Sequence, residues 1–217
     1  MQRSAAVAGA PAERPGKRER LIAAACELLY GQGIERTTLA NIAQVADVPL
    51  GNVYYYFKTK DDIVGAVVHS HVEQIESALA ALDRRHRSPK SRLKALLDAV
   101  AEQGETITRH GCPYGTLCSE LAKGGRAGSD ALAARLMQTL LGWAEQQFRA
   151  LGRDDARELA VELLAAYQGS AVVASALSEP ELMAHQARRL RRWIDALPPE
   201  TVSACTPGPR REGQPAP

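Results

Sequence analysis

Residues 37–60 read TTLANIAQVADVPLGNVYYYFKTK, and this segment predicts more of the architecture than any other. Its apolar residues first recur three and four positions apart, which predicts a short helix capped by Thr37 or Thr38. Pro49 cannot lie inside a helix, but its fixed φ suits a first turn, so a second helix is predicted from Pro49 to Phe57. The segment therefore predicts two short helices joined by a tight turn.

The second of these helices has an unusual surface. Val53 and Phe57 are four residues apart and are expected to pack inward with Leu50, so the three tyrosines that lie between them cannot all be buried. Tyrosine hydroxyls and asparagine amides donate to phosphate oxygens, and glycine lets a backbone approach closely. The pattern favours contact with nucleic acid; the alternative is that the tyrosines form a small core with the first helix.

The motif Arg36-Thr37-Thr38, the pair Ile42-Ala43 and the run VPLGNVYYYFKTKD over residues 48–61 resemble the DNA-binding signature of the tetracycline-repressor-like (TetR) regulators. The resemblance covers about residues 17–63. Where the family commonly has His after the paired aromatic residues, this chain has Tyr56. By this resemblance we predict DNA contacts from Arg36, Thr37, Thr38, Leu50, Gly51, Asn52, Tyr54, Tyr55, Tyr56, Lys58 and Lys60.

The same resemblance implies an all-α fold with two functional parts. A three-helix helix-turn-helix DNA-binding domain is expected over residues 17–62, and a helical ligand-binding and dimerisation domain over residues 63–197. Residues 1–16 and 198–217, rich in Ala, Gly and Pro, are expected to be a disordered arm and tail. The implied partners are a double-stranded DNA operator, a small-molecule inducer and a second copy of the chain, with no cofactor, metal or catalytic residue.

Composition is consistent with this interpretation and adds little to it. Residues 1–60 hold 8 Lys and Arg against 5 Asp and Glu, so the small positive excess of the chain lies with the predicted DNA-binding part. No run approaches the roughly 18 apolar residues of a membrane span. The four cysteines have no metal or disulfide spacing, which is typical of a reducing compartment. We therefore expect a cytoplasmic protein without a membrane partner.

A second unusual passage, HGCPYG at residues 110–115, contains closely spaced glycines and a proline that predict a turn, and Thr116 is expected to cap a short helix after it. It resembles a G-C-P-x-G segment in an LmrA/YxaF-like branch of TetR proteins, whose inducers include flavonoids, quinones and drugs. Cys112 follows His110 near a helix start, which is an environment that lowers a thiol pKa; a buried structural cysteine is the alternative. The predicted ligand-binding residues are His110, Cys112, Tyr114, Cys118, Met137, Trp143 and Tyr167, with Glu120 as a further polar group.

Two long amphipathic helices are predicted over residues 132–151 and 159–177. Small residues on the second would allow two copies of this helical hairpin to pack as an isologous four-helix interface, and the family resemblance implies a dimer here too. Packing within one chain is the alternative. The predicted interface residues are Leu136, Leu140, Trp143, Leu163, Ala166, Ser170 and Val173.

The leading hypothesis is a repressor that leaves a pseudo-palindromic operator when an inducer binds. Two alternatives stay open: a repressor that senses electrophiles through Cys112, and a regulator whose body binds a protein instead of a small molecule. An enzyme that uses Cys112 or Cys118 as a nucleophile is disfavoured, because the sequence offers His110 as a base and no third group to orient it. A sealed, partly apolar cavity would favour the inducer, whereas a filled core would favour the protein partner.

Overall fold

The structure is a computed structural model that describes residues 15–123 and 128–198. Those two ranges contain ten α-helices and no strand, which confirms the predicted all-α fold. The arm and tail lie outside them, except for residues 15, 16 and 198. The helices are α1 Lys17–Arg36, α2 Leu39–Val45, α3 Leu50–Tyr56, α4 Lys60–Arg85, α5 Pro89–Ala101, α6 Gly104–His110, α7 Pro113–Lys123, α8 Ser129–Ala150, α9 Ala156–Leu177 and α10 Glu181–Ala196.

Helices α1 to α3 form a small unit that we call the head. Helix α2 begins as predicted, because Thr38 caps it by accepting a hydrogen bond from Asn41 N–H at 3.1 Å. Pro49 is the N-cap of α3, so the helix begins at Leu50, one residue after the predicted start. Arg20 of α1 donates to the backbone carbonyls of Ala46 and Asp47, at 3.0 and 3.1 Å. This guanidinium holds the turn between α2 and α3 in place.

Helix α1 is not regular along its whole length. It continues past Gly31 to Arg36 with a break at Gly33, where φ is +82°. The break withdraws the Ile34 N–H from the helix, and this N–H donates to the carboxylate of Glu120 at 2.6 Å. Gly33 is therefore a bend within α1 that is bonded to α7, and not a terminator.

Helices α4 to α10 form the remaining part of the molecule, which we call the body. Helix α4 connects the head to this body. It starts at a capping box in which Thr59 accepts from Asp62 N–H at 3.1 Å and Asp62 accepts from Thr59 N–H at 2.8 Å. It runs unbroken for 26 residues, and seven apolar side chains along it are buried. These pack against α1 at one end and α8 at the other. One continuous hydrophobic core therefore extends from the head into the body.

In the body, α8 packs on α7 and α9, and α10 closes the other side against α5 and α9. Two helix starts differ from the predictions. The Cys112 carbonyl accepts a hydrogen bond from Thr116 N–H, so α7 begins at Pro113 and Thr116 lies in its first turn. Helix α8 begins at Ser129, after an N-cap at Gly128 with φ of +80°, and so starts before residue 132, where the sequence predicted it to start.

Candidate functional site

The outer face of α3 carries three large exposed side chains. Tyr55 is 79% exposed, Tyr54 is 47% exposed and Leu50 is 41% exposed, whereas Val53 is fully buried beneath them. Leu50 therefore does not join the core with Val53 as expected. Tyr56 is half-buried and packs its ring edge-on against Tyr55, with ring centroids 5.0 Å apart. The rings of Tyr54 and Tyr55 therefore face solvent on a helix of only seven residues. Two exposed aromatic rings on so short a helix are unusual unless another molecule binds to them.

Gly51 lies beside these rings, and no contact within the chain requires a glycine there. A Cβ atom built on Gly51 has no neighbour within 4 Å, and its φ is not positive. Glycine in a helix is less stable than alanine by roughly 0.5 to 1 kcal/mol. The residue therefore costs some stability and leaves the surface of α3 free for close approach by another molecule.

The predicted contact residues outside α3 divide into two groups. Thr37 is fully buried, and its hydroxyl donates to the Gly33 carbonyl at 2.8 Å, so the prediction of a side-chain contact from Thr37 is wrong. Its position at the end of α1 turns the side chain into the head. Thr38 and Arg36 are exposed and stay available on the outer surface, as does the half-exposed Asn52 of α3.

Two lysines lie at the end of α3. Lys58 donates to the Tyr54 carbonyl at 2.6 Å, and Lys60 donates to the Glu35 carbonyl at 3.2 Å. The Lys58 ammonium is thereby held beside Tyr54 on α3, and the Lys60 ammonium is held at the end of α1. This arrangement places positive charge beside an exposed aromatic surface, which is the combination that binds a phosphate backbone.

A cavity of about 890 Å³ lies in the body where α1, α6, α7, α8 and α9 meet. It opens to solvent, so it is not the sealed cavity that we set as the criterion for an inducer. Four of the seven predicted ligand residues line it: His110, Cys112, Cys118 and Met137. The sequence did not predict Tyr30, Gln168 or Val172, which line the same cavity. These residues lie far apart in the sequence, and no local pattern brings them together.

The Cys112 sulfur receives hydrogen bonds from two side chains of α9. Tyr167 donates its hydroxyl at 3.1 Å, and Gln168 donates its amide at 3.5 Å. Burial, together with the neighbouring Cys112, raises the pKa of Tyr167. Tyr167 is therefore a neutral donor to the sulfur at physiological pH, and this contact places it behind the cavity wall.

The other predicted ligand residues lie elsewhere. Tyr114 packs its ring edge against His71 of α4, with centroids 5.5 Å apart. Burial raises the pKa of Tyr114 and lowers the pKa of His71. Trp143 is buried and donates its indole N–H to the Asp83 carboxylate at 3.2 Å. Trp143 is thus part of the core between α8 and α4, and the prediction that it lines the ligand cavity is wrong.

The residues predicted for a dimer interface fall into a buried group and a group that is at least partly exposed. Leu136, Leu140, Trp143 and Leu163 are buried within the single chain, so these four predictions are wrong. They form the contact between α8 and its neighbours in the same body. Ala166 and Ser170 are half-buried, and Val173 is exposed.

Helix α9 has a second apolar face that its own chain leaves uncovered. Val172 is 69% exposed, and Val161, Val173 and Leu177 are exposed with it. Gly169 lies between them, and a Cβ atom built on it would have no neighbour within 4 Å. By length and composition, α9 is the one helix among the described residues that is apolar enough to span a membrane. The prediction included Val173 but missed Val161 and Val172, because apolar residues occur on both sides of this helix.

Hydrogen bonds from α1 connect the head directly to the body, one of them at the wall of the cavity. Tyr30 of α1 donates its hydroxyl to the Gly111 carbonyl at 2.9 Å, beside Cys112. His110 packs against the Tyr30 ring, with centroids 5.3 Å apart, and does not contact Cys112 through any hydrogen bond that the structure contains. The second bond joins Ile34 to Glu120, so Glu120 supports the head and is not a polar group of the cavity wall.

Comparison with known families identifies the head. The model of the bacterial regulatory proteins of the tetR family matches residues 21–67, which extend from α1 into α4. The chain belongs to the TetR family of transcriptional regulators. An HTH-type transcriptional regulator in the lacX 3' region of Lactococcus lactis is 30% identical over 107 residues, which are 48% of this chain and 55% of that protein. TtgR of Pseudomonas putida is also 30% identical over 107 residues, which are 45% of this chain and 51% of TtgR.

The chain thus spans about half the length of the curated TetR relatives it matches. The similarity of the body to known structures is a similarity of fold. A TetR regulator from Legionella pneumophila superposes with a TM-score of 0.73 at 18% identity, over 85% of this chain and 98% of that one. The similarity therefore extends over head and body at the level of the fold, whereas the sequence similarity is concentrated near the head.

Proposed function

We propose that this TetR regulator binds double-stranded DNA through α3. The observation that carries the proposal is the exposed surface of Tyr54 and Tyr55 beside Gly51, with Lys58 and Lys60 at its edge. The helix enters the major groove, where the tyrosines contact phosphates and base edges and the lysines neutralise the backbone. Family membership supports the same assignment, since the matched residues 21–67 include α2, α3 and the turn between them.

The test is binding to DNA selected from a random-sequence library by the full-length protein. Tyr55→Ala removes the most exposed ring and should weaken binding at fixed salt by about tenfold or more. Glu76→Ala is the control, because it shortens an exposed side chain in the middle of α4, outside both the head and α9. Equal affinity for all three proteins, or failure to select any sequence from the library, would contradict the proposal.

The second part of the proposal is a homodimer formed through α9. Its exposed valines and leucine surround Gly169, and small residues allow two helices to approach closely. A second copy would cover this face through an isologous contact. In sedimentation equilibrium, Val172→Glu should shift the protein toward monomer. Val45→Glu places the same charge on an exposed valine of α2 and should leave the association unchanged.

The third part is control by a small molecule in the body cavity, with release from DNA on binding. Apolar side chains such as Met137 and Val172 and a few polar groups line a space of about 890 Å³, which is the size of many ligand pockets. The contact of Tyr30 with Gly111 supports a direct connection from this cavity to the head. Calorimetric screening of planar aromatic compounds with the wild type and Met137→Trp tests this part. Binding that the tryptophan does not reduce would place the ligand elsewhere.

A further inference from the structure

The wall of the body cavity carries positive charge without a balancing negative one. Arg109 and His110, in the last turn of α6, line the cavity, whereas no aspartate or glutamate does so among the residues that the structure describes. The other polar side chains of the wall belong to Ser, Thr, Tyr, Gln and Cys and carry no fixed charge. Arginine stays protonated at every physiological pH. The cavity therefore contains a permanent cation that its own wall does not neutralise.

The Arg109 guanidinium has no hydrogen bond or ion pair with any residue of the described ranges. Arg92 of α5 differs, because it donates to the His86 carbonyl at 2.9 Å and pairs with Asp83 at 3.5 Å. Glu105 lies four residues before Arg109 on α6, but it lines a neighbouring groove and forms no ion pair with Arg109. The N–H donors of Arg109 are therefore available to a molecule in the cavity.

The other helices around the cavity contribute apolar side chains. Met137 comes from α8, and Ala171 and Val172 come from α9. Ser175 of α9 lines both the cavity and the neighbouring groove, as Arg109 does, so its hydroxyl lies on the same border as the guanidinium. A molecule that matches this wall needs an apolar part and a negatively charged end.

We propose that the cavity selects organic anions, and that Arg109 binds the carboxylate of such a molecule. The proposal rests on the proposed control by a small molecule and names the chemical class of that molecule. Two parallel N–H groups of a guanidinium match the two oxygens of a carboxylate, and the Ser175 hydroxyl supplies a further donor. A neutral molecule of the same shape lacks this attraction, and a cation is repelled. Because the cavity opens to solvent, screening limits the preference for an anion to about tenfold.

The experiment is isothermal titration calorimetry on the full-length protein without DNA. It compares three carboxylates of different shape, 1-naphthoate, 4-biphenylcarboxylate and decanoate, with the uncharged amide of each. A carboxylate and its amide have nearly the same size, so the apolar contacts cancel in the comparison. We expect at least one carboxylate to bind about tenfold more tightly than its amide at low salt, and high salt to reduce this preference.

Two variants assign the preference to one side chain. Arg109→Met removes the charge and keeps most of the aliphatic stem. It should reduce the preference to less than about twofold and leave the affinity for the amide unchanged, because only the charged contact is lost. Arg85→Met is the matched control, since Arg85 is also an exposed arginine in the last turn of a helix, and it should keep the preference of the wild type.

Three outcomes would overturn the proposal: no carboxylate that binds more tightly than its amide, a preference that survives in Arg109→Met, or an equal loss of preference in Arg85→Met. Release of DNA is measured separately. A carboxylate preference without any effect on DNA binding would refute the proposed control and support the anion site. Release of DNA by the amides as readily as by the carboxylates would support the control and overturn the selection of anions.

Discussion

The substitution Gly51→Ala should have two opposite effects. It should stabilise the free protein, and it should weaken the binding of α3 to DNA. Gly51 is the second residue of α3, has no positive φ, and has no atom within 4 Å of the position that a Cβ would take. Alanine therefore fits without displacing any group of the chain. An exposed glycine inside a helix costs about 0.5 to 1 kcal/mol relative to alanine. Since Gly51 lies in the first turn, we expect a gain near the lower value, about 0.5 kcal/mol.

In the complex, the added methyl has the opposite effect. If a phosphate or sugar of DNA approaches the surface beside Tyr54 and Tyr55, the methyl must push it away. Inserting one methyl or methylene group into a close-packed contact typically costs about 1 to 3 kcal/mol. The dissociation constant should therefore rise by roughly fivefold to a hundredfold.

The two effects are measured on the same preparation. Urea unfolding monitored by circular dichroism gives the change in stability, and a fluorescence anisotropy titration against the selected DNA at fixed salt gives the change in affinity. Gly65→Ala is the control: Gly65 also lies in a helix and also leaves open space where a Cβ would stand, but it belongs to α4. A Gly51→Ala protein that is more stable and binds DNA as tightly as the wild type would refute close approach at this position. Equal losses of affinity in both variants would refute it as well.

Three further perturbations follow from the geometry. Arg20→Met should destabilise the head by about 2 kcal/mol in urea unfolding, because it removes two charge-assisted hydrogen bonds to the turn before α3; a loss under about 0.5 kcal/mol would contradict the clamp. The wild type should lose stability as pH falls from 7 to 5, because burial lowers the pKa of His71 below 6.5 and the unfolded chain therefore binds the proton first. His71→Phe should abolish this loss of stability, and equal pH dependence in both proteins would be inconsistent with the prediction. Gly115→Ala should displace Gln168 from Cys112 and slow alkylation of that cysteine with little loss of stability, since the end of a flexible side chain yields; an unchanged rate would count against the amide donor.

The head could be predicted closely because its signals are local. The hydroxyl of Thr38, the proline before α3 and the box of Thr59 and Asp62 each act within four residues of the chain. The apolar spacing fixes which sides of α2 and α3 face α1. The burial of the Thr37 side chain could not be predicted from local signals. Its burial depends on the bend at Gly33, and that bend is stabilised by Glu120, which is 86 residues from the Ile34 amide that it binds.

The helices of the body were predicted, but the neighbour against which each helix face packs was not. Helix α9 has apolar residues on both sides, so periodicity alone does not say which side packs within the chain. The prediction assigned Leu163 to a dimer interface, whereas the structure buries Leu163 and exposes Val172. The cavity shows the same limitation. Its chemistry depends on Tyr167 lying 3.1 Å from Cys112 across 55 residues of sequence, and the packing of α9 against α6 creates that contact.

The position of Val172 links two equilibria that are usually measured separately. Val172 lines the cavity and is also the most exposed valine on the open face of α9. In the proposed dimer, a second copy on this face would cover part of the mouth of the cavity, so a molecule inside would meet a different wall in monomer and dimer. Association and ligand binding must then change each other's free energy by the same amount. The apparent affinity for a ligand will therefore vary with protein concentration, and titrations at nanomolar and micromolar protein will give different constants for one and the same site.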